Sequence, residues 1–461
     1  MTINGEVNNL QRVVLAMVLL NAFTTPLMLS AVNVALPAIA LDLRLDAVML
    51  SWIPMAYLMA SAMFVLVFGR LADMYGRKRI FLIGTFSVIL TSLFASFSPT
   101  GYILICARFL QGMSAAMLYA TQVAIVSSVF PSDKRGHAIG LTVSTIYLGL
   151  TVGPLIGGYL IDAFGWRSSF LFYIPLAIIV LLIGLLKVPG EWSAENKGSF
   201  DLSGSLLYGI SIGFLCIGAS NIPDILSYIY IGIGLVGIML FIQTARNKTH
   251  PIFDVSLFLK NRIFTLSCLA SYIIYTAVFA NVVLLSLYLQ YIQGVSASIA
   301  GIIMMSQPLT MAVFSPLAGR LSDRIEPRVI ASIGMIITAL GLIMLAMLNN
   351  LSTFAFVLTA LITTGLGFSL FSSPNANAIM SSVDKYYYGS ATGSLATMRI
   401  LGQMSSMIIV TLVFALVIGP IEIDPLNYTS LEQAIRICFI IAAMLCIPGF
   451  LFSMVRGRMH I

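Results

Sequence analysis

The apolar stretches of this chain run for roughly 20 residues or more, which is the length of helix that spans the hydrocarbon core of a bilayer. This length limits the possible fold more than any other feature of the sequence. Of the 461 residues, 59% are hydrophobic and only 9% are charged, too few charges for a surface that faces water. The sequence therefore predicts an all-α polytopic membrane protein.

Fourteen such stretches follow one another, and the loops between them are too short to fold as separate soluble domains. Lys and Arg collect in the cytoplasmic loops of membrane proteins. With the N-terminus inside, 19 of the 24 Lys and Arg residues fall in inner loops or tails, 3 in outer loops and 2 within spans. We therefore predict fourteen transmembrane helices with both termini in the cytoplasm. The expected location is the plasma (inner) membrane of a prokaryote.

The net charge of +7 is explained by this loop bias, since no basic run alternates with aromatic residues in a soluble segment. We therefore expect no nucleic-acid partner. The five cysteines lie within apolar segments and form no C-x-x-C pair, which argues against disulfides and metal ligation. No Ser/His/Asp set, His/Cys cluster or phosphate loop occurs at depth, so we expect neither an enzyme nor a bound cofactor.

One charged loop occurs twice, as "GRLADMYGRKR" at 69–79 and as "GRLSDRIEPR" at 319–328. The first copy joins predicted helices 2 and 3, and the second joins helices 10 and 11, two helices later than a plain six-helix duplication would place it. We predict a six-helix half at 1–190, inserted helices 7 and 8 with their linkers at 191–250, and a second half at 251–461. The alternative is two unrelated basic loops. Internal repeats are typical of transporters whose halves move around a central site.

The charges of this loop predict a latch at the cytoplasmic edge of the membrane. Its carboxylate lies among several basic residues and can pair with them or with a neighbouring helix end. A surface ion pair contributes only ~0–1 kcal/mol, so a latch needs several partners and partial burial. The predicted gate residues are Gly69, Arg70, Asp73, Gly76, Arg77 and Arg79 in the first copy, and Gly319 and Asp323 in the second.

Several motifs resemble those of the major facilitator superfamily and, within it, the fourteen-helix drug:proton antiporter branch. The loop at 69–79 is similar to the superfamily's loop between helices 2 and 3, and "RFLQGMSAAM" at 108–117 is similar to its helix-4 motif. The segments "SAVNVALPAI" at 30–39, "WRSSFLFYIP" at 166–175 and "RILGQMSS" at 399–406 also resemble this branch. The resemblance covers nearly the whole chain and implies a proton-coupled exporter.

The stretch "GLTVGPLIGGYL" at 149–160 resembles the helix-5 motif of antiporters. Its proline removes a backbone donor and bends the helix, and its glycines offer a surface against which another helix packs closely. The resemblance implies that this bend seals the outer half of the path, and ordinary glycine packing is the alternative. The motif residues are Gly149, Gly153, Pro154, Gly157 and Gly158.

Two charged side chains lie within predicted spans, Arg108 in helix 4 and Arg399 in helix 13. Charges within the membrane usually have a function. The resemblance implies that Arg108 couples protons to transport. The alternative for both residues is a structural arginine that carbonyl and amide groups satisfy.

None of the seventeen Asp and Glu residues falls in the middle of a predicted span. The branch commonly carries an Asp on helix 1, five residues before the Asn of its signature, and counting back from Asn33 gives Met28. Proton relays generally need a titratable group in the path. Asp162, at the end of helix 5, is therefore the second candidate for proton coupling, and a solvated helix-end carboxylate is the alternative. A lipophilic cationic substrate in the low-dielectric cavity would also lack a carboxylate partner.

Polar residues in the middle of spans are candidates to line a substrate cavity, with methionines and aromatic rings as an adaptable apolar wall. We also include Met28, which occupies the expected acid position, Gln111 of the helix-4 motif, and the charged Arg399. The cavity candidates are Asn21, Met28, Asn33, Gln111, Gln122, Asn281, Gln307, Asn375, Asn377 and Arg399.

Together these features predict a monomeric secondary active transporter that exports small amphiphilic compounds by alternating access, as in multidrug efflux. Its expected partners are the small-molecule substrate, protons as the counter-ion and the lipid bilayer. The alternative substrate is an anionic or lipid-like metabolite, with atypical or no proton coupling. A membrane sensor is a remote alternative, since no soluble signalling domain is predicted.

Overall fold

The computed structural model describes residues 2–193, 200–248, 252–253, 255–322, 324–384 and 388–457, without the side chains of 2–8, 132, 133 and 388. Within these ranges short loops join one helix to the next, and no strand forms. Fourteen helices are long and apolar enough to cross a membrane, which confirms the predicted class and number of spans.

The spans are numbered in chain order. Their bounds are α1 Asn9–Leu43, α2 Ala47–Tyr75, α3 Arg77–Ser96, α4 Gly101–Val129, α5 Lys134–Phe164, α6 Ser168–Leu186, α7 Leu202–Ser220, α8 Ile225–Asn247, α9 Arg262–Ile292, α10 Ala297–Ser322, α11 Pro327–Ala346, α12 Phe354–Ser381, α13 Gly389–Val417 and α14 Pro425–Val455. The helix of α1 extends back to Thr2. A short helix, Val255–Lys260, precedes α9.

The span α9 is interrupted within the bundle. It consists of the helices Arg262–Val278 and Asn281–Leu287 and a π-helical turn, Tyr288–Ile292. A break in a membrane helix leaves backbone donors that other groups must satisfy. At this break the backbone N–H of Ala280 donates to Ser406 Oγ on α13 at 3.1 Å. The interruption therefore ties α9 to α13.

Polar side chains and one glycine determine where several spans begin and end. The first N–H groups of a helix lack partners within the helix. Asp46 accepts from the N–H of Met49 at 2.7 Å ahead of α2, and Asp201 accepts from the N–H of Gly204 at 2.8 Å ahead of α7. Gly76 separates α2 from α3 with a φ of +117°, a conformation that L side chains rarely adopt.

The two ends of the bundle differ in charge. We call the end that carries the α2–α3 loop, with Arg77, Lys78 and Arg79, the basic end, and the opposite end the far end. Consecutive spans alternate in direction, so the α10–α11 loop also lies at the basic end. Asp323 of the second loop copy lies outside the described residues.

The helices α7 and α8 form a hairpin that packs on α2 and α13. Tyr208 donates its hydroxyl to the carbonyl of Ala62 on α2 at 3.0 Å. The hairpin is closed by an ion pair between Lys248 and Asp201. Burial raises the pKa of Asp201, but hydrogen bonds from Lys248 and Gly204 outweigh burial, so the pKa is lowered. The division of the chain into two halves with this hairpin inserted stays a prediction.

Close packing joins α2 to α4 where the backbones cross. A Cβ atom on Gly112 of α4 would lie 2.1 Å from the carbonyl oxygen of Tyr57 on α2. Beside this crossing, Ser61 Oγ donates to the carbonyl of Gly112 at 3.0 Å. Small residues at such crossings let membrane helices approach closely.

We expect Gly112→Ala to lower the free energy of unfolding by about 1–3 kcal/mol, because the added methyl group forces α2 and α4 apart. The measurement is denaturant or thermal unfolding of the purified protein in detergent. The matched control is Gly136→Ala in α5, where an added Cβ meets no atom within 4 Å. An equal loss of stability in both variants would contradict the importance of this crossing.

Candidate functional site: a central cavity

A cavity with a volume of about 220 Å³ lies between the spans α1–α6 and the spans α9–α14. We call it the central cavity. Its wall comes from α1, α4 and α5 on one side and from α9, α10, α12 and α13 on the other, and most of it is apolar. The larger polar or charged side chains in the wall are Asn33, Tyr119, Gln122, Tyr275, Gln307, Arg399 and Gln403.

Hydrogen bonds between the two groups of spans are concentrated at the far end. Gln290 on α9 donates to the carbonyl of Val34 on α1 at 3.0 Å. Ser51 on α2 donates to Thr411 on α13 at 2.8 Å. In the loop, the N–H of Ala47 donates to the carbonyl of Ile421 at 3.0 Å. These contacts close the cavity on the side away from the basic end.

The helix-5 motif lies in this closure and packs on two partners. A Cβ atom on Gly149 would lie 2.3 Å from the carbonyl oxygen of Phe23, so this part of α5 packs directly on α1. Further along, a Cβ atom on Gly158 would lie 2.3 Å from the carbonyl oxygen of Ala297, which begins α10. Gly153 and Gly157 face α1 in the same way. The glycines therefore hold α5 against both groups of spans.

Pro154 lies where the far-end contacts meet the cavity wall. It lines the central cavity, and its carbonyl oxygen would lie 2.0 Å from a Cβ atom added to Gly301 on α10. At Pro154 and Gly301, α5 and α10 thus come together on the far-end side of the cavity.

Towards the basic end, α5 and α13 face open space. Added Cβ atoms on Gly136 and Gly140 of α5, and on Gly389 and Gly393 of α13, would meet no atom within 4 Å. The cavity wall reaches Ala396 on α13, about two turns from the start of that span. Among the described residues, one hydrogen bond joins the two groups in this half of the bundle, between the hydroxyls of Tyr147 and Ser372 at 3.3 Å, and α5 and α13 are uncovered beyond it.

The structure brings four of the predicted cavity candidates into the wall, namely Asn33, Gln122, Gln307 and Arg399. Two further candidates lie behind them. Asn21 donates to Gln122 Oε1 at 2.9 Å, and Asn281 donates to Gln307 Oε1 at 3.4 Å. These amides hold the wall side chains in position.

The four remaining candidates lie elsewhere in the bundle. Met28 and Gln111 belong to a buried cluster around Arg108. Asn375 and Asn377 lie in the part of α12 that is nearest the basic end. Asn375 donates to Ser271 Oγ at 2.8 Å, and Asn377 donates to Ser322 Oγ at 3.3 Å.

Arg108 is completely buried behind the cavity wall. Its Nε donates to the carbonyl of Ile53 at 3.3 Å, its Nη1 donates to Gln111 Oε1, and its guanidinium lies 4.4 Å from the centre of the Tyr57 ring. Gln111 in turn donates to Met28 Sδ at 3.2 Å. The methionine at the expected acid position therefore packs against the amide that binds Arg108.

Two tyrosines connect this buried arginine with the cavity. The hydroxyls of Tyr57 and Tyr119 lie 2.9 Å apart within hydrogen-bond distance, and Tyr119 lines the cavity. The sequence reasoning did not single out either tyrosine. The only signal available was the position of Tyr119 three residues before Gln122, almost one turn along the same helix.

Arg399 has different surroundings from Arg108. Its side chain is part of the cavity wall and is partly exposed there. Its guanidinium lies 5.0 Å from the centre of the Tyr275 ring, which also lines the cavity. The ion pairs found in the described part of the chain are Asp73–Arg77, Asp42–Arg167, Asp201–Lys248 and Glu432–Arg436, and none includes Arg399.

Asp162, the other candidate for proton coupling, lies at the far end. Its carboxylate accepts hydrogen bonds from the backbone N–H groups of Ala297 at 3.2 Å and Ser298 at 2.9 Å, and from the hydroxyl of Ser298. A carboxylate is favourable at the first N–H groups of a helix. Asp162 therefore joins the end of α5 to the start of α10.

The predicted gate loop is held mainly by contacts within α1–α6. Asp73 pairs with Arg77 at 2.8 Å, and Arg77 Nη1 donates to Ser128 Oγ on α4 at 2.7 Å. Gly69 faces Ala120 of α4 at an ordinary contact distance. In the second copy, Gly319 faces Ser373 on α12. Each loop copy is thus next to a helix of its own group.

Sequence reasoning missed a carboxylate that binds this loop. Glu191, which follows α6, accepts from the backbone N–H groups of Lys78 at 2.8 Å and Arg79 at 2.9 Å. The N–H of Arg77 donates to the carbonyl of Trp192 at 2.8 Å. The segment after α6 therefore caps the start of α3, although it lies more than 100 residues along the chain.

Arg456 is one of the basic residues that the charge count places in inner loops or tails, and the structure buries its side chain. The side chain is 1% exposed. It donates to Asn375 Oδ1 and, at 3.1 Å, to Ser267 Oγ. Burial lowers the pKa of Arg456 to about 10. From the sequence alone, an arginine at the end of an apolar helix cannot be distinguished from an ordinary inner-loop arginine. The spans that bury Arg456 are distant from it in the chain.

Comparison with known proteins agrees with these features. The sequence pattern of the Major Facilitator Superfamily matches residues 18–407 and, in a second match, 268–458. The riboflavin transporter RibZ of Clostridioides difficile is 32% identical over 388 residues, which cover 84% of each chain. The multidrug resistance protein Stp of Mycobacterium tuberculosis is 32% identical over 378 residues, which cover 81% of this chain and 70% of Stp.

A solved structure shares the fold. The chain superposes on a POT family transporter in complex with 5-aminolevulinic acid with a TM-score of 0.69, over 95% of this chain and 96% of that one. The sequences are 14% identical, so this similarity concerns the fold alone.

We expect Glu191→Ala to lower the free energy of unfolding by about 0.5–2 kcal/mol, the range for loss of a helix cap. The reason is that the first N–H groups of α3 lose their acceptor. Hydrogen exchange at Lys78 and Arg79 should become faster, which mass spectrometry can measure. The control is Glu422→Ala, which removes another exposed acid. Unchanged exchange at α3 would contradict the capping role.

Proposed function

The chain belongs to the Major Facilitator Superfamily and is a transporter, and we propose that it exports small amphiphilic compounds by alternating access. The central cavity is the observation that carries this proposal. It lies between the two groups of spans and is closed at the far end, while α5 and α13 are uncovered towards the basic end. A cavity that opens to one side at a time, between two moving groups of helices, is what alternating access requires.

In this proposal the basic end faces the cytoplasm, following the positive-inside rule, and both termini lie there. The structure then corresponds to an inward-facing state of a monomer in the inner membrane. Substrate enters from the cytoplasm between α5 and α13, whose glycines face open space. Release outside requires the contacts of Ala47, Ser51 and Gln290 at the far end to separate.

The latch of the proposal acts in the opposite, outward-facing state. There the basic end closes, and the loop with Asp73 and Arg77 comes close to the other group of spans. The ion pair of these two residues and the bond from Arg77 to Ser128 keep the loop rigid in the state described here. A preformed loop loses less conformational entropy when it docks.

Proton exchange is the proposed coupling, by resemblance to the drug:proton antiporter branch. Arg108 is a candidate because two tyrosines link it to the cavity. Asp162 is a candidate because it joins α5 to α10 at the far-end closure, where protonation would weaken its hydrogen bonds. The alternative, an anionic or lipid-like substrate with atypical or no proton coupling, is favoured by Arg399 in the cavity wall.

The names of the relatives support a substrate of moderate size. One is a riboflavin transporter and another a multidrug resistance protein. Both riboflavin and many drugs combine a flat ring system with polar groups. The rings of Tyr275 and Phe368 in the cavity wall are suited to such molecules.

The proposal is tested with the double variant Ser51→Cys/Thr411→Cys, whose native hydroxyls lie 2.8 Å apart across the far end. Proteoliposomes are assayed for transport of riboflavin, ethidium and naphthalene sulfonate under imposed pH and potential gradients. We expect protein-dependent transport of at least one compound, its loss on oxidation of the cysteine pair, and its return on reduction.

The matched control is Ser211→Cys/Gly237→Cys, which places a cross-link inside the α7–α8 hairpin. There an added Cβ on Gly237 would lie 3.2 Å from the Cβ of Ser211. Oxidation of this pair should leave transport unchanged. Transport that continues with the far end cross-linked would overturn alternating access.

We expect Asp73→Asn to reduce the transport rate severalfold, while stability changes by less than ~1 kcal/mol, since an exposed ion pair contributes little to folding. Transport and thermal unfolding are measured on the same preparation. Asp384→Asn is the control, because Asp384 is another exposed acid at the basic end. A normal rate in Asp73→Asn refutes the latch.

A further inference from the structure

We propose that the transported compounds are aromatic organic anions, that Arg399 pairs with their anionic group, and that the membrane potential alone is able to drive their export. This inference rests on the exporter function proposed above and adds to it the substrate class and the driving force. It begins from the charge of the cavity wall.

Arg399 supplies a positive charge directly to the cavity. Its side chain lines the space and is partly exposed there, and its guanidinium lies over the Tyr275 ring at 5.0 Å. A guanidinium matches a carboxylate, sulfonate or phosphate with two parallel N–H donors. One face of the guanidinium packs on the ring, while its edge is available to such a group.

The contrast with Arg108 makes this assignment specific. Arg108 has no exposure and contacts a carbonyl, the Gln111 amide and the Tyr57 ring, while its Nη2 has no hydrogen-bond partner among the described residues. It also lies outside the cavity wall. Arg399 is therefore the arginine that a molecule in the cavity meets.

The wall offers no acid to a cationic substrate. Among the described residues that line the cavity, none is Asp or Glu. The position on α1 that could have held such an acid is Met28, and its side chain is buried against Gln111 rather than in the cavity. An organic cation in this space would meet Arg399 without a carboxylate to compensate, and burying an unpaired charge is unfavourable.

The remainder of the wall suits a flat, mostly apolar body. Tyr275 and Phe368 contact each other edge to face, with ring centres 5.3 Å apart. The amides of Gln122, Gln307 and Gln403 add donors and acceptors. The cavity therefore fits an aromatic molecule with one anionic group better than a small hydrophilic anion.

An anionic cargo changes the energetics of export. The cytoplasm of a prokaryote is electrically negative, so a monovalent anion moves outward down the potential. About 100 mV corresponds to roughly a fifty-fold concentration ratio at equilibrium. Net transfer of one negative charge per cycle needs no proton carrier in the cavity, and exchange with a proton would add to the same drive.

The first test is equilibrium binding of a matched pair of probes in detergent, naphthalene sulfonate and naphthyl trimethylammonium. We expect the purified protein to bind the sulfonate and not the cation. Arg399→Gln should bind the sulfonate about 10- to 100-fold more weakly, the effect of losing a hydrogen bond to a charged group.

Two further variants separate charge from folding. Arg399→Lys keeps the charge and should retain most of the preference for the sulfonate. Arg436→Gln removes an arginine that pairs with Glu432 at the surface of α14, and its binding should equal that of the unchanged protein. Equal binding of the sulfonate by Arg399→Gln and by the unchanged protein would overturn the role of Arg399.

The second test is transport into proteoliposomes with a valinomycin potential, lumen positive, and equal pH on both sides. We expect the sulfonate to accumulate, approaching roughly fifty-fold at about 100 mV. Reversing the potential should reverse the direction. With the potential clamped at zero, a pH gradient alone should drive less accumulation than the potential does.

The outcomes distinguish this inference from the exporter function. Transport of riboflavin or the cation without the sulfonate would overturn the anion class and leave the exporter function intact. Sulfonate transport that requires a pH gradient would overturn the electrical drive. Both proposals would be overturned if none of the compounds were transported under either gradient and if the oxidised and reduced forms of Ser51→Cys/Thr411→Cys behaved alike.

Discussion

The crossing of α5 with α1 and α10 is the contact on which the cavity depends. Backbone meets backbone there because Gly149 and Gly158 carry no side chains. Between these two contacts Pro154 meets Gly301 at the edge of the cavity. Without the close approach at Gly158 and Gly301, side chains would hold α5 and α10 apart at the far end. Dispersion and close packing hold such crossings together in a membrane, since the lipid is as apolar as the helices.

Charge is arranged around this framework in two ways. The described ion pairs lie at the ends of spans or in loops, where water and partner charges reduce the cost of desolvation. In the interior, Arg108 contacts a carbonyl, an amide and a ring, its Nη2 has no hydrogen-bond partner among the described residues, and its side chain does not line the cavity. Arg399 is the exception, because its guanidinium reaches the cavity. This difference is the basis of the binding role that we propose for Arg399.

The fold class and the number of spans could be predicted from the sequence because they follow from local properties. Length and hydropathy decide whether a segment crosses a membrane, and they depend on neighbouring residues only. The family resemblance was equally accessible, since its motifs are short and contiguous. Of the cavity candidates, Asn33, Gln122, Gln307 and Arg399 line the wall, whereas Asn375 and Met28 do not. The depth of a residue within its span could be predicted from the sequence. The direction of its side chain could not, because it depends on how each helix is rotated relative to its neighbours.

Hydropathy was thus enough to determine an all-helical bundle of fourteen spans, and the resemblance of several short motifs indicated the transporter family to which the chain belongs. Only the tertiary structure decided that Glu191 caps α3, that Arg456 is buried among α9 and α12, and that the far end is closed while α5 and α13 are uncovered towards the basic end. Each of these features joins residues that are distant in the chain. Their pairing depends on helix rotation and crossing geometry, which are properties of the packed bundle rather than of any single span.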